Sequence, residues 1–304
     1  MKKLRKKVFA LLLVGVLTLS SSILVSAASF AFVTDDATLT AAINSKTPII
    51  IIVNSFTVYT PKTIDYDVSI AASSETTLTT YSCSIIFNVT GDNVTISFQN
   101  VILRTSRNDG IAINSTANSL TIIDGQIAEG FYGIKATKNL IINGGKYSYC
   151  STAIYCEGVF TLEDGVISGN SNHLPAGYGS AIYSTGTVNI NGGEIVNNSG
   201  IGRAYSYGGG IYITGGTLNI NGGLISNNYV YGCGGGIYME NSTFYMRAGT
   251  ITENIASYSH GSGFYIVNSR FYMYGGTITN NDSNIAESST VYLYGGTIQN
   301  LNYQ

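Results

Sequence analysis

The sequence predicts an all-β protein, a single-stranded right-handed parallel β-helix (solenoid) of about ten or eleven rungs with a short N-terminal capping helix. Three observations predict this fold. Glycine pairs recur along the chain, short segments of alternating apolar and polar residues stand between them, and the extra residues of longer repeats fall at one place in the unit. This combination is typical of stacked coils of short strands in which one turn accepts loops.

The repeating unit reads GGGIY, then an alternating segment such as LNI or FYM, then GG-x-I-x-x-N, and the stretch 208–241 holds a complete copy. The second residue of each Gly-Gly, Asp-Gly or Ala-Gly pair marks one repeat, at Gly125, Gly145, Gly165, Gly193, Gly223, Gly249, Gly276 and Gly296. The intervals are 20, 20, 28, 30, 26, 27 and 20 residues. Three short strands per coil, with rungs about 4.8 Å apart, fit the shortest interval.

The alternation within each repeat assigns residues to the inside or the outside of the coil. Apolar residues at alternate positions are predicted to point inward, among them Ile211, Ile213, Leu218, Ile220 and Ile225. An asparagine follows three residues after the inward isoleucine in five successive repeats, at Asn170, Asn198, Asn228, Asn254 and Asn281. Stacked amides can donate and accept hydrogen bonds along the column, so we expect a buried asparagine ladder.

These motifs resemble those of a known group of proteins. The chain resembles the pectin-lyase-like β-helix superfamily, and its GGGIY and I-x-x-N motifs are similar to the GGAI and FxxN repeats of polymorphic outer-membrane proteins and adhesin-like bacterial surface proteins. The likeness covers Val94 to the C-terminus, with a looser fit back to Ala37, and isoleucine replaces the phenylalanine of FxxN. The resemblance implies a cell-surface protein, and fold alone does not fix function.

The first 27 residues have the features of a signal peptide. Five basic residues among residues 2–7 precede an apolar stretch, Val8–Leu19, and the small-residue site Val25-Ser26-Ala27. We therefore predict a signal peptide at 1–27, a β-helix domain at 28–304, and an extracellular, secreted or surface-associated protein without an integral membrane domain. Without these five, 10 basic residues stand against 17 acidic ones, a net charge of −7. This balance disfavours nucleic acid as a partner.

One segment near the start of this domain has a helical pattern. In residues 34–45 Thr34 can cap the first turn, Asp35 and Asp36 suit the helix N-terminus, and Leu39, Ala42 and Ile43 recur at helical spacing. We expect this helix to cover the open end of the coil. The less regular early strands are predicted at Ile49–Val53, Thr57–Thr60, Val68–Ala71, Ser84–Phe87 and Val94–Phe98.

The register argues against disulfide bonds among the four cysteines. Cys156 occupies the inward position of Ile213 and Met239, which makes it a core residue. Cys150 and Cys233 share a column but lie three rungs apart, about 14 Å by strand spacing. A disulfide requires Cα atoms within about 7 Å. Cys83 has no assigned partner, so we expect free thiols.

Two groups of residues are candidates for catalysis. Asp124 and Asp164 share a column two rungs apart, about 10 Å, with Lys146 between them and Glu163 beside them. Such a cluster could serve a glycoside hydrolase or a Ca²⁺-dependent polysaccharide lyase, or be a solvated turn. If it is catalytic, Asp164→Asn should abolish cleavage of an acidic polymer. The stretch 107–111 and His260-Gly261 are similar to polygalacturonase motifs, but both fall at structural turns of the repeat.

Tyrosine is unusually frequent, with 23 residues and no tryptophan. One predicted outward column contains Tyr155, Tyr183, Tyr212, Tyr238 and Tyr265. A second contains Tyr245, Tyr272 and Tyr292, flanked by Tyr274 and Tyr294. Stacked rings stabilise neighbouring strands without any ligand, and a stripe of rings can also bind a long glycan.

The leading function is a non-catalytic, adhesin-like protein that binds a polysaccharide or another surface component. The alternative is a carbohydrate-active enzyme for an acidic polysaccharide, and a purely structural repeat fragment is a third class. No cofactor is expected, apart from Ca²⁺ if the protein is a lyase. Residues 297–304 offer no cap for the last rung and leave Ile298 near its end. We therefore expect end-to-end self-association or a longer array.

Overall fold

The computed structural model describes residues 30–81, 84–106, 108–172, 177–202, 206–257 and 261–303. These residues form an all-β structure with one helix, and their strand pairings are parallel. Within these ranges no helix is long and apolar enough to cross a bilayer. The predicted signal peptide and the residues Cys83, Arg107 and His260 lie outside them.

The first half of the chain contains several long strands that continue through bends of the backbone. Its strands are β1 Phe30–Val33, β2 Ile49–Ile52, β3 Phe56–Thr57, β4 Lys62–Ile64, β5 Val68–Thr79, β6 Ile85–Val89, β7 Asn93–Arg104, β8 Ile111–Ser115, β9 Ser119–Ile123, β10 Gln126–Ala136, β11 Asn139–Cys156 and β12 Val159–Ser168. The predicted early strands are all present with shifted ends. The prediction of a strand limited to Val68–Ala71 is wrong, because β5 continues through an irregularity after Ala71 to Thr79.

The second half contains shorter strands. They are β13 Ser171–Asn172, β14 Ile182–Ser184, β15 Thr187–Ile190, β16 Glu194–Val196, β17 Ser199–Gly200, β18 Ile211–Thr214, β19 Thr217–Ile220, β20 Leu224–Ser226, β21 Tyr229–Val230, β22 Ile237–Glu240, β23 Thr243–Met246, β24 Thr250–Thr252, β25 Ile255–Ala256, β26 Phe264–Val267, β27 Arg270–Met273, β28 Thr277–Thr279, β29 Asn284–Glu287, β30 Thr290–Leu293, β31 Thr297–Ile298 and β32 Leu301–Tyr303. Glycine turns separate them because the repeats approach closely. A Cβ atom at Gly222 would lie 2.3 Å from the carbonyl oxygen of Asn191 in the preceding repeat.

Each strand pairs in register with the strand one repeat later. β14, β18, β22 and β26 form the first column, β15, β19, β23, β27 and β30 the second, and β16, β20, β24, β28 and β31 the third. Leu218, for example, pairs with Val188 on one side and with Phe244 on the other. Equivalent residues of successive repeats are therefore direct neighbours.

The predicted helix is present as α1, Asp36–Asn44. Its cap is Asp35 and not the predicted Thr34, because the Asp35 carboxylate accepts a 2.8 Å bond from the backbone N–H of Thr38. This bond lowers the pKa of Asp35. The Nζ of Lys62, which is buried, lies 2.6 Å from the Asp36 carboxylate and fixes the helix beside β4. β1 precedes the helix and pairs with β2, a strand that the sequence pattern did not predict.

The predicted inward residues form the core. The exposed fractions of Leu218, Ile211 and Ile213 are 0%, and those of Ile220 and Ile225 are 1%. Equivalent positions stack, as in the ring pair Phe244 and Phe271, whose centroids lie 4.4 Å apart. These observations confirm the assigned register.

The predicted asparagine ladder is confirmed at all five positions, which are at most 2% exposed. At Asn198, both the backbone N–H and the side-chain Nδ2 donate to Oδ1 of Asn228, at 3.0 and 2.9 Å. Asn228 repeats this toward Asn254, at 3.1 and 3.0 Å, and its Nδ2 also donates to the carbonyl of Ile195. Each amide thus satisfies buried polar groups of two or more repeats.

The cysteines follow the prediction as far as the structure describes them. Cys150 and Cys156 are buried, and no disulfide joins any two of Cys150, Cys156 and Cys233. Cys156 lies in register with Ser184, and Ser184 with Ile213, which places the thiol in the core column as expected. Burial raises the pKa of Cys156 to about 11, so this thiol is protonated at neutral pH.

Replacing Ile220 by aspartate should destabilise the protein by about 4 kcal/mol, because the carboxylate would be buried without a partner. Thermal melting measures the effect. The control Asn221→Asp places the same charge one residue further on, on the exposed side near Arg247, and should cost under about 1 kcal/mol. Equal melting temperatures for the two variants would contradict the register.

Replacing Asn228 by alanine should cost about 3 kcal/mol, since the Asn198 N–H and Nδ2 and the Ile195 carbonyl lose their partner at once. Chemical denaturation gives the free energy of unfolding. The exposed neighbour Asn227 has a left-handed backbone, with φ 54°, and Asn227→Gly keeps that conformation. This control should change stability by only a few tenths of a kcal/mol, and a loss as large as that of Asn228→Ala would count against the ladder.

Candidate functional site

The first tyrosine column has the predicted register. Its rings stack along the strands, with centroid distances of 5.1, 5.2, 5.3 and 5.9 Å between successive members of the series Tyr155, Tyr183, Tyr212, Tyr238 and Tyr265. The last three rings are parallel within 2°. The column faces away from the main core.

This first column is not the exposed stripe that the sequence pattern predicts. Tyr212 is 7% exposed, and Tyr238 and Tyr265 are 9% exposed. The cover consists of Tyr178, whose ring lies 4.7 Å from Tyr212, and Tyr207, whose ring lies 4.7 Å from Tyr238. Both residues stand shortly before the repeat motif, and their rings lie over the column. These three rings therefore offer little surface to a ligand, and Tyr155 and Tyr183 are half-buried.

The covered rings are held in the neutral phenol form. Burial, followed by the charge of Glu240, raises the pKa of both Tyr212 and Tyr238. Tyr265 donates a hydrogen bond to the carboxylate of Glu287, and burial together with this bond raises its pKa as well. Burial and a hydrogen bond to Glu157 raise the pKa of Tyr155 to about 12. The column is thus a packed structural cluster at neutral pH.

The second tyrosine column is partly exposed: Tyr292 is exposed, whereas Tyr245 and Tyr272 are half-buried. Tyr245, Tyr272 and Tyr292 stack with centroid distances of 5.1 and 4.7 Å, and Tyr274 stacks on Tyr294 at 5.0 Å. The exposed fractions are 39% for Tyr292, 47% for Tyr274 and 65% for Tyr294. The five rings belong to three successive repeats and lie on one outward face.

The spacing of these rings determines which part of them a ligand can reach. Parallel rings in van der Waals contact are about 3.6 Å apart along the ring normal. Centroid distances of 4.7–5.1 Å, with ring planes within 15°, therefore mean that neighbouring rings are slipped by roughly 3 Å. Each ring therefore covers part of the face of its neighbour. A ligand can reach the uncovered part of each ring face and the row of phenol hydroxyl groups. The surface differs in this respect from the flat stripe expected from the sequence.

Asparagine ladders continue the tyrosine columns toward the N-terminus. Asn219 pairs in register with Tyr245, and its Nδ2 donates to Asn189 at 2.9 Å. Asn221 likewise donates to Asn191 at 2.9 Å, and Asn191 to Glu163 at 3.0 Å. The sequence analysis missed these side chains, although the repeated N-I-N-G-G pattern at 189–193 and 219–223 places them outward.

Arg247 lies where the amide ladders meet the tyrosine stacks. Its guanidinium carbon is 5.3 Å from the centroid of the Tyr245 ring and 5.9 Å from that of Tyr274. Its Nη1 donates long hydrogen bonds of 3.4 Å to the Oδ1 atoms of Asn219 and Asn221. The amide–tyrosine face, as we call this surface, comprises Asn189, Asn191, Asn219, Asn221, Tyr245, Arg247, Arg270, Tyr272, Tyr274, Tyr292 and Tyr294.

A shallow polar groove of about 580 Å³ runs beside this face. The side of the groove nearest the rings is lined by Thr243, Arg270 and Thr290, each two residues before a stacked tyrosine. The turns that precede these strands and β19 line the rest, with Gly215, Asn241, Asn268 and Ser288. This volume is within the range of sites for small molecules and sugar residues. The groove thus lies next to the stacked rings along the same strands.

The predicted acidic cluster has a different arrangement. The carboxylates of Asp124 and Asp164 accept hydrogen bonds from the backbone N–H groups of Gly125 and Gly165, at 2.8 and 2.7 Å. Lys146 pairs with Gln126 and Val166 on a strand, whereas Asp164 pairs with Asn143. Glu163 accepts the amide of Asn191. The two aspartates therefore stabilise turns, and the described residues contain no group of three or more side chains suited to a metal ion.

The second catalytic motif also lies in a turn. The Asn108 N–H donates to the Ser106 hydroxyl, and the Gly110 N–H to the Ser106 carbonyl. Arg107 and His260 lie outside the described residues, so the structure does not place these two members of the predicted motifs.

The chain matches no family model, no curated protein and no solved structure.

The buried tyrosines make stability depend on alkaline pH. Because the pKa of Tyr238 is raised in the folded state, its contribution to stability is complete below the unfolded value of about 10 and is lost as the pH rises above it. The melting temperature should therefore fall above about pH 10, and the fall should be smaller in Tyr238→Phe, which cannot ionise. At neutral pH the two proteins should melt alike. Identical alkaline profiles would show that Tyr238 ionises freely in the fold.

Proposed function

We propose that the chain forms a right-handed parallel β-helix of about ten or eleven rungs, similar to the pectin-lyase-like group, with α1 as its N-terminal cap. The parallel pairing of each strand with the strand one repeat later supports this architecture. Parallel strands joined by crossovers are right-handed in about 98% of known cases, which supports the handedness.

The proposed function is non-catalytic, adhesin-like binding of a glycan by an extracellular, secreted or surface-associated protein. One observation carries it: five exposed or half-buried tyrosine rings in two stacks continue directly into two ladders of outward amides. The C–H faces of a sugar pack against aromatic rings, and its hydroxyl groups exchange hydrogen bonds with amides and phenols. The amide–tyrosine face offers both kinds of contact.

The length of the face favours a polymer over a single sugar. Rings recur in three successive repeats, at a spacing of 4.7–5.1 Å that is comparable to the length of one pyranose residue, and amides occupy the same position in the two repeats before them. Each sugar residue of a bound chain would contribute little binding free energy by itself. Linked contacts raise the effective concentration of the next sugar, so affinity grows with the length of the glycan.

The enzymatic alternative has less support. Asp124 and Asp164 serve as turn acceptors, and Lys146 lies in a different column of side chains. A lyase or hydrolase would need these carboxylates to be directed toward a substrate.

Glycan-array screening of the purified protein, followed by titration with the best ligand, tests the proposal. Tyr272→Thr removes the central ring of the stack and keeps a good strand former. It should weaken binding at least about tenfold. The matched control is Tyr59→Thr, which removes an exposed ring far along the chain, 62% exposed, and should bind like the unchanged protein.

Two results would overturn the proposal. One is the absence of binding to every glycan on the array. The other is an affinity of Tyr272→Thr equal to that of the control, with circular dichroism showing that both variants are folded. Release of sugar from an acidic polymer, abolished by Asp164→Asn, would instead favour the enzymatic alternative.

A further inference from the structure

The positive charges of the last third of the chain are concentrated at the amide–tyrosine face. After residue 203 the sequence contains two arginines, Arg247 and Arg270, and no lysine. Four acidic residues occur in the same stretch, at Glu240, Glu253, Asp282 and Glu287. In a chain with so few cations, placing both at one face creates a local positive site on an acidic protein.

The two arginines lie on opposite sides of the central rings. Arg247 is two residues beyond Tyr245, just after β23 ends, and Arg270 is two residues before Tyr272, at the start of the neighbouring β27. Because Thr243 and Arg270 are register partners, four strand residues and one repeat separate the arginine positions. This corresponds to about 14 Å between the two Cα atoms. The rings of Tyr245 and Tyr272 lie between them.

Neither guanidinium is neutralised by a carboxylate in the part of the chain that the structure describes. The ion pairs found there join Lys46 with Asp65, Lys62 with Asp36, and Arg104 with Glu129. Arg247 instead bonds at 3.4 Å to two neutral amide oxygens, and Arg270 is exposed on the wall of the groove.

The electrostatics of Tyr272 agree with this placement. Burial and then Tyr292 raise the pKa of Tyr272, and the charge of Arg270 opposes them. Glu240 and Glu287 are the last residues of β22 and β29, on the other side of the turn. There Glu287 accepts the Tyr265 hydroxyl, and Glu240 accepts the amide of Asn241 at 3.5 Å. These carboxylates are engaged with their own neighbours.

Resting on the proposed function, we propose that the ligand of the amide–tyrosine face is an anionic glycan, whose acidic groups bind Arg247 and Arg270 while its rings lie on Tyr245 and Tyr272. A carboxylate or sulfate would replace the long amide contacts of Arg247 by short, charge-assisted hydrogen bonds. The planar guanidinium can bind either group through two N–H donors. A neutral glycan would keep the ring contacts and lose these bonds.

Binding of three polymers by the full chain tests the inference: polygalacturonate for carboxylates, dextran sulfate for sulfates, and dextran as the neutral reference. The variants are Arg247→Gln, Arg270→Gln and the double variant. The control Arg104→Gln removes another exposed guanidinium from a strand outside the face. We expect an anionic polymer to bind at least about tenfold tighter than dextran, and each face variant to lose about tenfold for that polymer only. Affinity for the anionic polymer should also fall as salt is added.

Tighter binding of either anionic polymer, lost in the double variant and kept in Arg104→Gln, supports the inference and identifies the anion. Equal affinity for dextran and both anionic polymers overturns it, as does a double variant that binds like the control. In either case, sensitivity to Tyr272→Thr would leave the proposed function standing. If the protein binds none of the three polymers and no glycan on the array, both proposals are refuted.

Discussion

The structure depends on one constraint, the in-register parallel pairing of each strand with its equivalent one repeat later. Under this constraint each side chain has the residue at the equivalent position of the next repeat as its neighbour along the column, so a residue must pack against that counterpart. Aliphatic residues meet this condition by dispersion and burial. A column of identical buried polar residues must both donate and accept hydrogen bonds along its length. Asparagine does so, and Asn198, Asn228 and Asn254 form the ladder.

The same constraint produces the outer surface. Tyrosines in equivalent positions stack, and asparagines in equivalent positions form ladders, whether or not a ligand is present. The inserted segments then decide which column is accessible. Tyr178 and Tyr207 cover the first column, whereas no described segment covers Tyr274 and Tyr294. The stacking of equivalent residues thus creates the surface, and the part that no described segment covers is the candidate binding face.

Sequence reasoning predicted the features that depend on period and register. Ile220 is buried, Cys156 is in the core, and the asparagine column is a ladder, because each of these depends on alternation within one repeat. The burial of Tyr212 could not be predicted, since the position of an insertion in the repeat does not specify the direction in which it folds. The helix N-cap was predicted one residue too early, at Thr34 and not at Asp35, because the choice between these neighbours depends on backbone geometry that the sequence does not show. Arg247 was missed because it replaces an asparagine of the ladder only once.

Hydrogen exchange at the backbone N–H groups of Asn198, Asn228 and Asn254 tests the stacking account most directly, because each donates to a side-chain oxygen of the next repeat and not to a strand partner. If the ladder connects the repeats, peptides that contain these amides should exchange only with global unfolding, as slowly as the core strands. Exchange as fast as that of unprotected backbone N–H groups would show that the repeats open independently and would contradict the account.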